Sequence, residues 1–454
     1  MDYEQALEWV MSFWEPARTK EQEMALRPLK VARMGSLLER LGSPHLEYPS
    51  VLVAGTKGKG STAAFVAEGL RAAGYRVGRY TQPHLIDWRE RTWVDGGFIA
   101  PDEVAALASS MRREVEALSG SMGSPGGFTT YEVGSALTLL YFAKKQVDIA
   151  VLEIGVGGRL DALNAVDPVL SVVTSISFDH TDVLGHTLGE IATEKAGIFR
   201  AGVAAVSSPQ QPEAEKALRQ VADEKGARLY LVGREDAICT ARGGSGKAKR
   251  RAADWVWREG ADPGAIDVCG PFGAIERLHV ALLGDHQRDN AAVAVAALQL
   301  LEKQGFRVSA DAMRRGLAQV EWPGRVQLLR ENPAVVVDAA HNADSAERLA
   351  ETLRKHYQGR RLILVFGASA DKDVAGMARV LGPIADLVIA TSSGHRRAAD
   401  VERLAAEFAS SRAVELEPDA VRALGRAVAL ASADDLVLVT GSVFLVGRAI
   451  ELLK

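Results

Sequence analysis

Residues 51–62 bring glycines, lysines and hydroxyl groups together in one short segment. The apolar run Val51-Leu-Val-Ala54 predicts a buried parallel strand, and residues 63–70 have the apolar spacing of a helix. Between them lies Gly55-Thr-Lys-Gly-Lys-Gly-Ser-Thr62. A glycine loop between a strand and a helix binds polyphosphate, because backbone amides and the helix N-terminus face the anion and a lysine reaches the terminal phosphates. The segment therefore predicts a nucleoside triphosphate site.

Every residue of this phosphate loop is a predicted nucleotide contact: Gly55, Thr56, Lys57, Gly58, Lys59, Gly60, Ser61 and Thr62. Lys59 is the expected catalytic, phosphate-binding lysine, and Ser61 is the hydroxyl that would face Mg²⁺. The loop departs from the common G-x-x-x-x-G-K-[ST] pattern at Val53 and at Gly60. The alternative interpretation is a glycine turn that leads into an ordinary helix.

Two further polar groups follow predicted strands. Glu153 ends the apolar run 147–153, and His180 follows the run 169–176. Ligands of open α/β sheets collect at the carboxyl ends of the strands, so Ser61, Glu153 and His180 are expected to converge on one Mg²⁺ or Mn²⁺ ion. In the alternative interpretation, Glu153 is a solvated strand end and His180 is a turn residue.

The elements that must position these groups form two α/β units. Strands alternate with helices from about residue 50 to residue 200, and again from about residue 322 onward, while 201–280 is more mixed. The sequence predicts a P-loop ATPase domain with a mostly parallel sheet, plus a smaller Rossmann-like C-terminal α/β domain. The expected domains are 1–321 and 322–454.

Composition excludes several classes of protein. The chain has 454 residues, 47% of them hydrophobic, and a formal net charge of −4, which argues against a general nucleic-acid binder. No apolar run approaches the ~20 residues that span a bilayer, and the N-terminus lacks a signal-peptide pattern. The two cysteines lack metal-type spacing. We expect a cytoplasmic protein with no membrane or nucleic-acid partner.

The G-K-G-S end of the loop resembles folylpolyglutamate synthases and dihydrofolate synthases, members of the Mur ligase superfamily. Asp179-His180 and Glu194-Lys-Ala-Gly-Ile198 match the family phrase D-H-x-x-x-L-G-x-T-x-x-x-I-A-x-E-K-A-G-I. The resemblance implies that His180 is a catalytic metal ligand. It also implies that Lys195 is carbamylated by CO₂ and holds a second Mg²⁺. Without the resemblance, a lysine in a helix is usually a solvated surface residue.

Three more segments resemble the family where it binds the acyl substrate. Residues 82–91 are similar to S-P-H-L-x-x-x-R-E-R, with Gln82 in place of serine, and residues 128–132 and 157–164 are similar to F-T-x-F-E and G-G-R-L-D-A-T-N. The segment around Arg396 departs from the family's P-R-A. The resemblance implies these substrate contacts: Pro83, His84, Arg89, Arg91, Thr129, Thr130, Asp161 and Arg396. The alternative for 82–91 is a charged surface ribbon.

Three late motifs resemble nucleotide-binding segments of the same family. Asn290 lies in G-D-H-Q-R-D-N-A, and the resemblance implies contact with the adenine end of ATP. Arg325 ends W-P-G-R, while Asp338 and His341 lie in D-A-A-H-N, where the family has D-G-A-H-N. The resemblance implies that these residues of the second domain complete the ATP site when the domains approach.

The resemblance implies an ATP-dependent amide ligase, usually monomeric. It would transfer the γ-phosphoryl group of ATP to a substrate carboxylate, and L-glutamate would attack the resulting acyl phosphate. The acceptor would be dihydropteroate, a reduced folate, or both. The alternatives are another Mur-type ligase for a different acid and a non-catalytic nucleotide-binding protein. A GTPase is disfavoured by the lack of N-K-x-D, and a dehydrogenase by the lack of G-x-G-x-x-G at a strand–helix turn.

Overall fold

The structure is a computed structural model that describes residues 1–13, 26–121, 127–235, 253–262, 264–395 and 397–453. It divides into two compact units. The first comprises Met1–Pro83, Arg89–Ala281 and Arg288–Val320, and the second comprises His84–Trp88, Leu282–Gln287 and Glu321–Lys454. The short pieces of the second unit thus come from the two chain segments that interrupt the first.

The first unit is built on an 11-stranded sheet with the order β11-β10-β9-β8-β7-β6-β1-β5-β2-β3-β4. Its strands are β1 (Ser50–Ala54), β2 (Val77–Tyr80), β3 (Thr92–Val94), β4 (Gly97–Phe98), β5 (Ile149–Glu153), β6 (Leu170–Val173), β7 (Ala204–Ser207), β8 (Arg228–Arg234), β9 (Trp255–Glu259), β10 (Ala265–Gly270) and β11 (Gly273–His279). Neighbours from β9 to β2 pair in parallel, and antiparallel strands extend both edges.

Helices connect these strands. In the first unit they are α1 (Tyr3–Ser12), α2 (Leu29–Arg40), α3 (Lys59–Ala72), α4 (Pro101–Ser121), α5 (Thr130–Lys144), α6 (Thr181–Leu184), α7 (Leu188–Lys195), α8 (Pro212–Lys225), α9 (Asp285–Lys303, whose first turn belongs to the second unit) and α10 (Ala310–Ala318). Helices α3 and α5 are buried on nearly all sides, as expected for helices packed against a sheet in a large domain.

The second unit has a 6-stranded sheet with the order β12-β13-β17-β14-β15-β16. Its strands are β12 (Gln327–Glu331), β13 (Ala334–Val337), β14 (Leu362–Phe366), β15 (Leu387–Ala390), β16 (Val414–Leu416) and β17 (Leu436–Thr440). Its helices are α11 (Ala343–His356), α12 (Val374–Leu381), α13 (Val401–Glu407), α14 (Ala420–Leu430) and α15 (Val443–Leu453). Only β12 runs antiparallel.

Alternate residues of each central strand supply two separate cores, one on each face of this smaller sheet. On β14, Leu364 and Phe366 point to one core, while Ile363 and Val365 point to the other. A strand buried on both faces reads as a continuous apolar run, which is the pattern that predicted these strands. The α/β fold class predicted from the sequence is confirmed.

Strand β1 lies inside the larger sheet, between β5 and β6, and sets the position of the phosphate loop. It pairs in parallel with β5 on one side, with Val53 opposite Glu153, and with β6 on the other, with Ala54 opposite Val173. The loop that follows β1 is therefore flanked by the residues that follow β5 and β6. In the described part of the chain, no helix is long and apolar enough to cross a membrane.

Candidate active site

The phosphate loop requires glycine at two positions. Gly55 has φ +146°, and a β-carbon there would collide with the Thr174 hydroxyl; Gly58 has φ +86° and would collide with the Asn290 carboxamide. Gly58 is the N-cap of α3, so the helix begins at Lys59, inside the loop. The backbone therefore turns tightly into a helix N-terminus, which is the geometry that an anion site needs.

Three lysines lie around this loop. Lys195 Nζ donates to the Gly55 carbonyl oxygen at 2.7 Å, and Lys59 Nζ donates to the same oxygen at 3.2 Å. Lys57 Nζ lies 3.0 Å from Asp179 Oδ2. Cations held around backbone amides attract a polyphosphate, so the lysines predicted from sequence are brought together where the strand order favours ligand binding.

Lys195 is the most buried of these cations, with a relative exposure of 3%. Burial is the main cause that lowers its pKa well below the usual value, and the charge of Lys59 lowers the pKa further, while Asp179 opposes the shift. A depressed pKa increases the fraction of neutral amine, which is the nucleophilic form of a lysine.

Close backbone packing carries Lys195 into this position. A β-carbon at Gly158 would lie 2.6 Å from the Lys195 carbonyl oxygen, and one at Gly197 would collide with the Arg159 backbone. These two glycines let the end of α7 press against the turn after β5. On the other side, Glu194 is paired with the Arg159 guanidinium, so neighbouring residues on α7 have different surroundings.

Glu153 lies at the carboxyl end of β5 with a relative exposure of 4%. Its Oε2 accepts a hydrogen bond from the Gln82 backbone amide at 3.1 Å. Burial lowers the pKa of Arg79 to about 10, and the charges of Glu68 and Glu153 oppose that shift. The Glu153 carboxylate thus lies close enough to the Arg79 guanidinium for their charges to interact, and it is one flank of the phosphate loop.

The donor set fits Mg²⁺ bound in the manner of phosphoryl-transfer enzymes. Among the described residues, no three His, Cys, Asp or Glu side chains gather into a metal cage. Mg²⁺ in such enzymes is held by one or two protein groups, with phosphate and water supplying the remaining oxygens. The buried hydroxyl of Ser61 and the carboxylate of Glu153 are hard oxygen donors of the right kind.

His180 follows β6 and starts the short helix α6. Its backbone lies in the left-handed region, with φ 49°, and its side chain is half exposed. The amide of His180 donates to Asp179 Oδ1 at 3.0 Å. An imidazole at this end of β6 is on the opposite flank of the loop from Glu153.

Asp161 is buried, and protein donors occupy all of its acceptor positions. Oδ1 accepts from the Tyr131 hydroxyl at 2.7 Å and from the Leu163 amide at 3.0 Å; Oδ2 accepts from the amides of Gly155 and Val156 at 3.1 and 3.2 Å. Burial raises the pKa of Asp161, and these hydrogen bonds oppose the rise. The Asp161 carboxylate therefore holds the turn after β5 in place. We expect it to position the substrate site through this turn and not to contact the substrate directly.

Replacing Asp161 with asparagine is expected to lower the free energy of unfolding by about 1–3 kcal/mol, because at least one buried amide would lose its acceptor. The matched control is Asp167→Asn. Asp167 is 83% exposed and pairs with Arg200, so its replacement should change the free energy by less than about 0.5 kcal/mol. Urea denaturation would measure both. Equal effects of the two substitutions would contradict a structural role for Asp161.

The predicted contacts Thr129 and Thr130 have different surroundings. The Thr129 hydroxyl caps α5 and donates a hydrogen bond to Glu132, whose carboxylate accepts three hydrogen bonds from the buried Arg33. The Thr130 hydroxyl is buried without a hydrogen-bond partner. Thr130 is therefore better placed than Thr129 to bond a substrate, since an unsatisfied buried hydroxyl gains most from a new partner.

The segment around β2 and β3 supplies the other predicted substrate contacts of the first unit. Arg91 hydrogen-bonds the hydroxyl of Tyr80, whose pKa is raised by burial. Arg89 lies over the ring of Tyr3, 5.7 Å from its centre. The Gln82 side-chain nitrogen packs against Gly155 and is buried without a partner. These positions place Arg91 nearer than Arg89 to the tyrosines around Asp161.

The chain changes units within this segment. Pro83 ends a stretch of the first unit, whereas His84 begins the short piece that belongs to the second. There, a β-carbon at Gly447 would collide with the Leu85 carbonyl oxygen. His84 thus belongs to the second unit, whereas Pro83, Arg89 and Arg91 belong to the first.

The predicted nucleotide contacts of the second unit form one compact turn. Asp338 Oδ2 accepts from the Val326 amide at 2.9 Å, and Oδ1 from the Ala340 amide at 2.8 Å; burial raises the pKa of Asp338, and Arg325 opposes the rise. His341 Nδ1 lies 2.9 Å from the Ala339 carbonyl oxygen. Arg396 lies outside the described residues.

Asn290 contacts the phosphate loop itself. Its carboxamide packs against Gly58, so this side chain lies at the α3 N-terminus. Its predicted contact with adenine remains a prediction. No role was predicted from sequence for Asp179 or Tyr131, which hold site residues in place, although Asp179 lies in the motif that contains His180. The adjacency of Asp179 to His180 was the available signal for the first, whereas nothing local marks Tyr131 as the partner of Asp161.

A glycine phosphate loop ringed by lysines, on an α/β sheet joined to a second α/β unit, is the arrangement of ATP-dependent Mur-type ligases. Residues 104–298 match the Mur ligase middle domain, and residues 324–443 match the Mur ligase glutamate ligase domain. The chain is therefore an ATP-dependent ligase of the Mur type, as predicted.

Comparison with curated proteins identifies the family within the Mur-type ligases. The dihydrofolate synthase/folylpolyglutamate synthase of Bacillus subtilis is 34% identical over 93% of this chain and 95% of its own length. The enzyme of the same name from Escherichia coli is 35% identical over 98% and 94%. The chain belongs to the folylpolyglutamate synthase/dihydrofolate synthase family, which confirms the resemblance seen in the sequence.

Solved structures of proteins from this family have the same fold as this chain. The Mycobacterium tuberculosis folylpolyglutamate synthase complexed with ADP superposes with a TM-score of 0.87 at 31% identity, covering 99% of this chain and 98% of that one. E. coli FolC in complex with DHPP and ADP gives 0.83 at 31% identity, covering 100% and 97%. Both comparisons extend over the whole fold.

Proposed function

We propose that the chain uses ATP to join L-glutamate to dihydropteroate, to a reduced folate that already carries glutamate, or to both. The observation that carries the proposal is the phosphate loop with Lys59 and Lys195 on one carbonyl oxygen and Lys57 beside them. Curated relatives that span nearly the whole chain are named for both reactions.

The reaction follows from the poor electrophilicity of a carboxylate. An oxygen of the substrate carboxylate attacks the γ-phosphorus of ATP, the bond to the bridging oxygen breaks, and ADP leaves. The amino nitrogen of L-glutamate then attacks the acyl carbon and loses a proton, and inorganic phosphate leaves as the amide forms. Lys59 and the loop amides would stabilise the negative charge on the transferring phosphoryl group.

Ser61, Glu153 and His180 are proposed to hold Mg²⁺, or Mn²⁺ in its place. When bound, the ion would neutralise phosphate charge and orient the γ-phosphoryl group. Gln82 would keep the Glu153 carboxylate in place through its backbone amide, 3.1 Å away. Orientation of metal-binding side chains by such partners is a general requirement of metal sites.

Lys195 is proposed to react with CO₂ before catalysis. Its buried amine would attack the carbon of CO₂, forming an N–C bond and releasing a proton, so that a cation becomes a carbamate anion. Burial lowers the pKa of Lys195, and the charges of Lys59 and Lys57 lower it further, which favours the neutral amine. As cations, Lys59 and Lys57 would also stabilise the carbamate. The carbamate would hold a second Mg²⁺ ion.

Substrate residues follow from the same geometry. Thr130 and Arg91 are the proposed direct contacts of the pterin-bearing acid, while Asp161 and Thr129 are proposed to position the turn and helix around it. Pro83, His84, Arg89 and Arg396 remain predicted contacts. So do Asn290, Arg325, Asp338 and His341 for the nucleotide. A monomeric state is also a proposal.

Release of ADP tests the function directly. The chain would be assayed with ATP, Mg²⁺ and L-glutamate, with dihydropteroate or tetrahydrofolate as the acceptor, and with glutamate omitted as the control. We expect glutamate-dependent turnover with at least one acceptor. Turnover with dihydropteroate alone would indicate a dihydrofolate synthase, turnover with tetrahydrofolate alone a folylpolyglutamate synthase, and turnover with both a bifunctional enzyme. ATP binding without turnover on either acceptor would reject the folate assignment and favour another acid.

A further inference from the structure

The two lysines of the phosphate loop have different partners. Lys59 Nζ folds back on its own loop, to the carbonyl oxygens of Gly55 and Thr56 at 3.2 and 3.3 Å. Lys57 reaches away from the loop, and its Nζ lies 3.0 Å from Asp179 Oδ2. The side chains of Lys57 and Asp179 are 21% and 22% exposed, so this ion pair is largely shielded from solvent.

Asp179 uses its other oxygen on the next residue. Oδ1 accepts the backbone N–H of His180 at 3.0 Å. His180 adopts φ 49° and ψ 39°, a left-handed conformation that is uncommon for residues other than glycine. The Asp179 carboxylate therefore bridges the Lys57 ammonium group and the residue whose unusual backbone directs the imidazole.

The backbone of the loop is joined to the same segment. The amides of Thr56 and Lys57 both donate to the Ser175 carbonyl oxygen, at 2.8 and 3.2 Å. The Thr56 hydroxyl donates to the Ser177 carbonyl oxygen at 3.1 Å and accepts from the Ser177 amide at 3.2 Å. Residues 56–57 and 175–179 are thus fixed to one another, and the ion pair extends this connection to His180.

We infer that Lys57 is a positioning residue: through Asp179 it orients His180 toward the metal that the phosphate loop binds, and it does not itself bind phosphate. The inference rests on the proposed function, in which His180 is a metal ligand. It assigns different tasks to two lysines that the sequence presents as equivalent members of one loop. Lys59 acts on the nucleotide, and Lys57 acts on the metal through Asp179.

Binding measurements separate these tasks without relying on turnover. ADP would be titrated calorimetrically with EDTA present, and Mn²⁺ would be titrated by electron paramagnetic resonance with ADP present. Lys57→Met removes the charge but keeps the length, Lys57→Arg keeps the charge, and Asp179→Asn removes the acceptor charge. Lys59→Met is the matched control within the same loop.

For Lys57→Met and for Asp179→Asn we expect Mn²⁺ affinity to fall by roughly 10-fold, the usual cost of losing a partner of a metal ligand. ADP affinity in EDTA should change by less than about 2-fold for these two variants, whereas Lys59→Met should weaken it by more, because it removes a charged donor to phosphate. The double variant should lose little beyond either single one, because both remove the same ion pair. Lys57→Arg should retain most of the Mn²⁺ affinity.

Weaker ADP binding in EDTA for Lys57→Met, with Mn²⁺ affinity intact, would overturn the inference and make Lys57 a phosphate ligand. Additive losses in the double variant would overturn it as well. Failure of the proposed function looks different, since the protein with its own sequence would then show no glutamate-dependent ADP release with either acceptor, or would not bind Mn²⁺ in the presence of ADP. If Lys57→Met does not fold, Lys57→Arg and Asp179→Asn still decide the matter.

Discussion

Replacing Lys195 with alanine is expected to reduce the rate of amide synthesis by about a thousandfold, comparable to the loss of a major electrostatic contact with a transferring group. The buried side chain would no longer provide the carbamate that holds the second Mg²⁺ ion. Initial rates of ADP release at saturating ATP would measure the loss. The protein should still fold, because α7 is held by its capping box at Thr187 and by packing of its other buried residues.

Chemical rescue tests whether a carboxylate is what the variant lacks. The alanine leaves a small buried space beside Gly55, and added acetate or formate should bind there and restore part of the rate. The matched control is Lys225→Ala, because Lys225 also donates to a backbone carbonyl oxygen, that of Gly197 at 2.7 Å, and its pKa is lowered first by burial. That variant should keep most of its activity and gain nothing from acetate.

A second measurement addresses the modification itself. The protein without substitutions, incubated with ¹³C-labelled bicarbonate, should show one carbamate carbon resonance that is absent from the Lys195→Ala variant. Retained activity in Lys195→Ala, or the same acetate response in Lys225→Ala, would contradict the proposal. Full activity of the protein without substitutions, in a sample that shows no carbamate resonance, would also contradict the proposal.

Much of the fold was predictable because buried parallel strands have a clear apolar signature. The strand Ser50–Ala54 lies where the apolar run 51–54 predicted it, and the helix Lys59–Ala72 contains the predicted helical residues 63–70. Strands β9 and β10 were harder to predict, because each is short and ends in residues that are not buried. Helix α8 was missed as well, since its apolar face is narrow.

The sequence predicted which residues form the site better than it predicted the hydrogen bonds and ion pairs that these residues make. Lys59, Lys195, Glu153 and His180 follow from motifs and from strand ends. The hydrogen bond from Tyr131 to Asp161 was not predictable, because Tyr131 is 30 residues away in sequence and the contact depends on how α5 packs. The same applies to the pair Lys57–Asp179, which spans 122 residues. Pairings at such separations are set by tertiary packing, which local patterns do not encode.

Replacing Lys59 with methionine is expected to lower the rate of phosphoryl transfer by roughly a thousandfold while weakening nucleotide binding by less than about tenfold. The ammonium group would contact oxygens whose charge changes most as the γ-phosphoryl group moves, so its loss should appear mainly in the rate. Quenched-flow detection of ADP in a single turnover measures this step without product release. Methionine keeps the side-chain length and removes the charge.

Two variants decide whether the charge of Lys59 or its geometry matters. Lys59→Arg keeps the charge but enlarges the head group near the Gly55 and Thr56 carbonyl oxygens, so it should recover only part of the rate. Lys57→Met removes a charge from the same loop. Its lower rate of phosphoryl transfer in a single turnover should be restored by excess Mg²⁺, because Lys57 acts through the metal site. If excess Mg²⁺ also restored Lys59→Met, Lys59 would be acting through the metal site, and its assignment as the phosphoryl-binding lysine would be wrong.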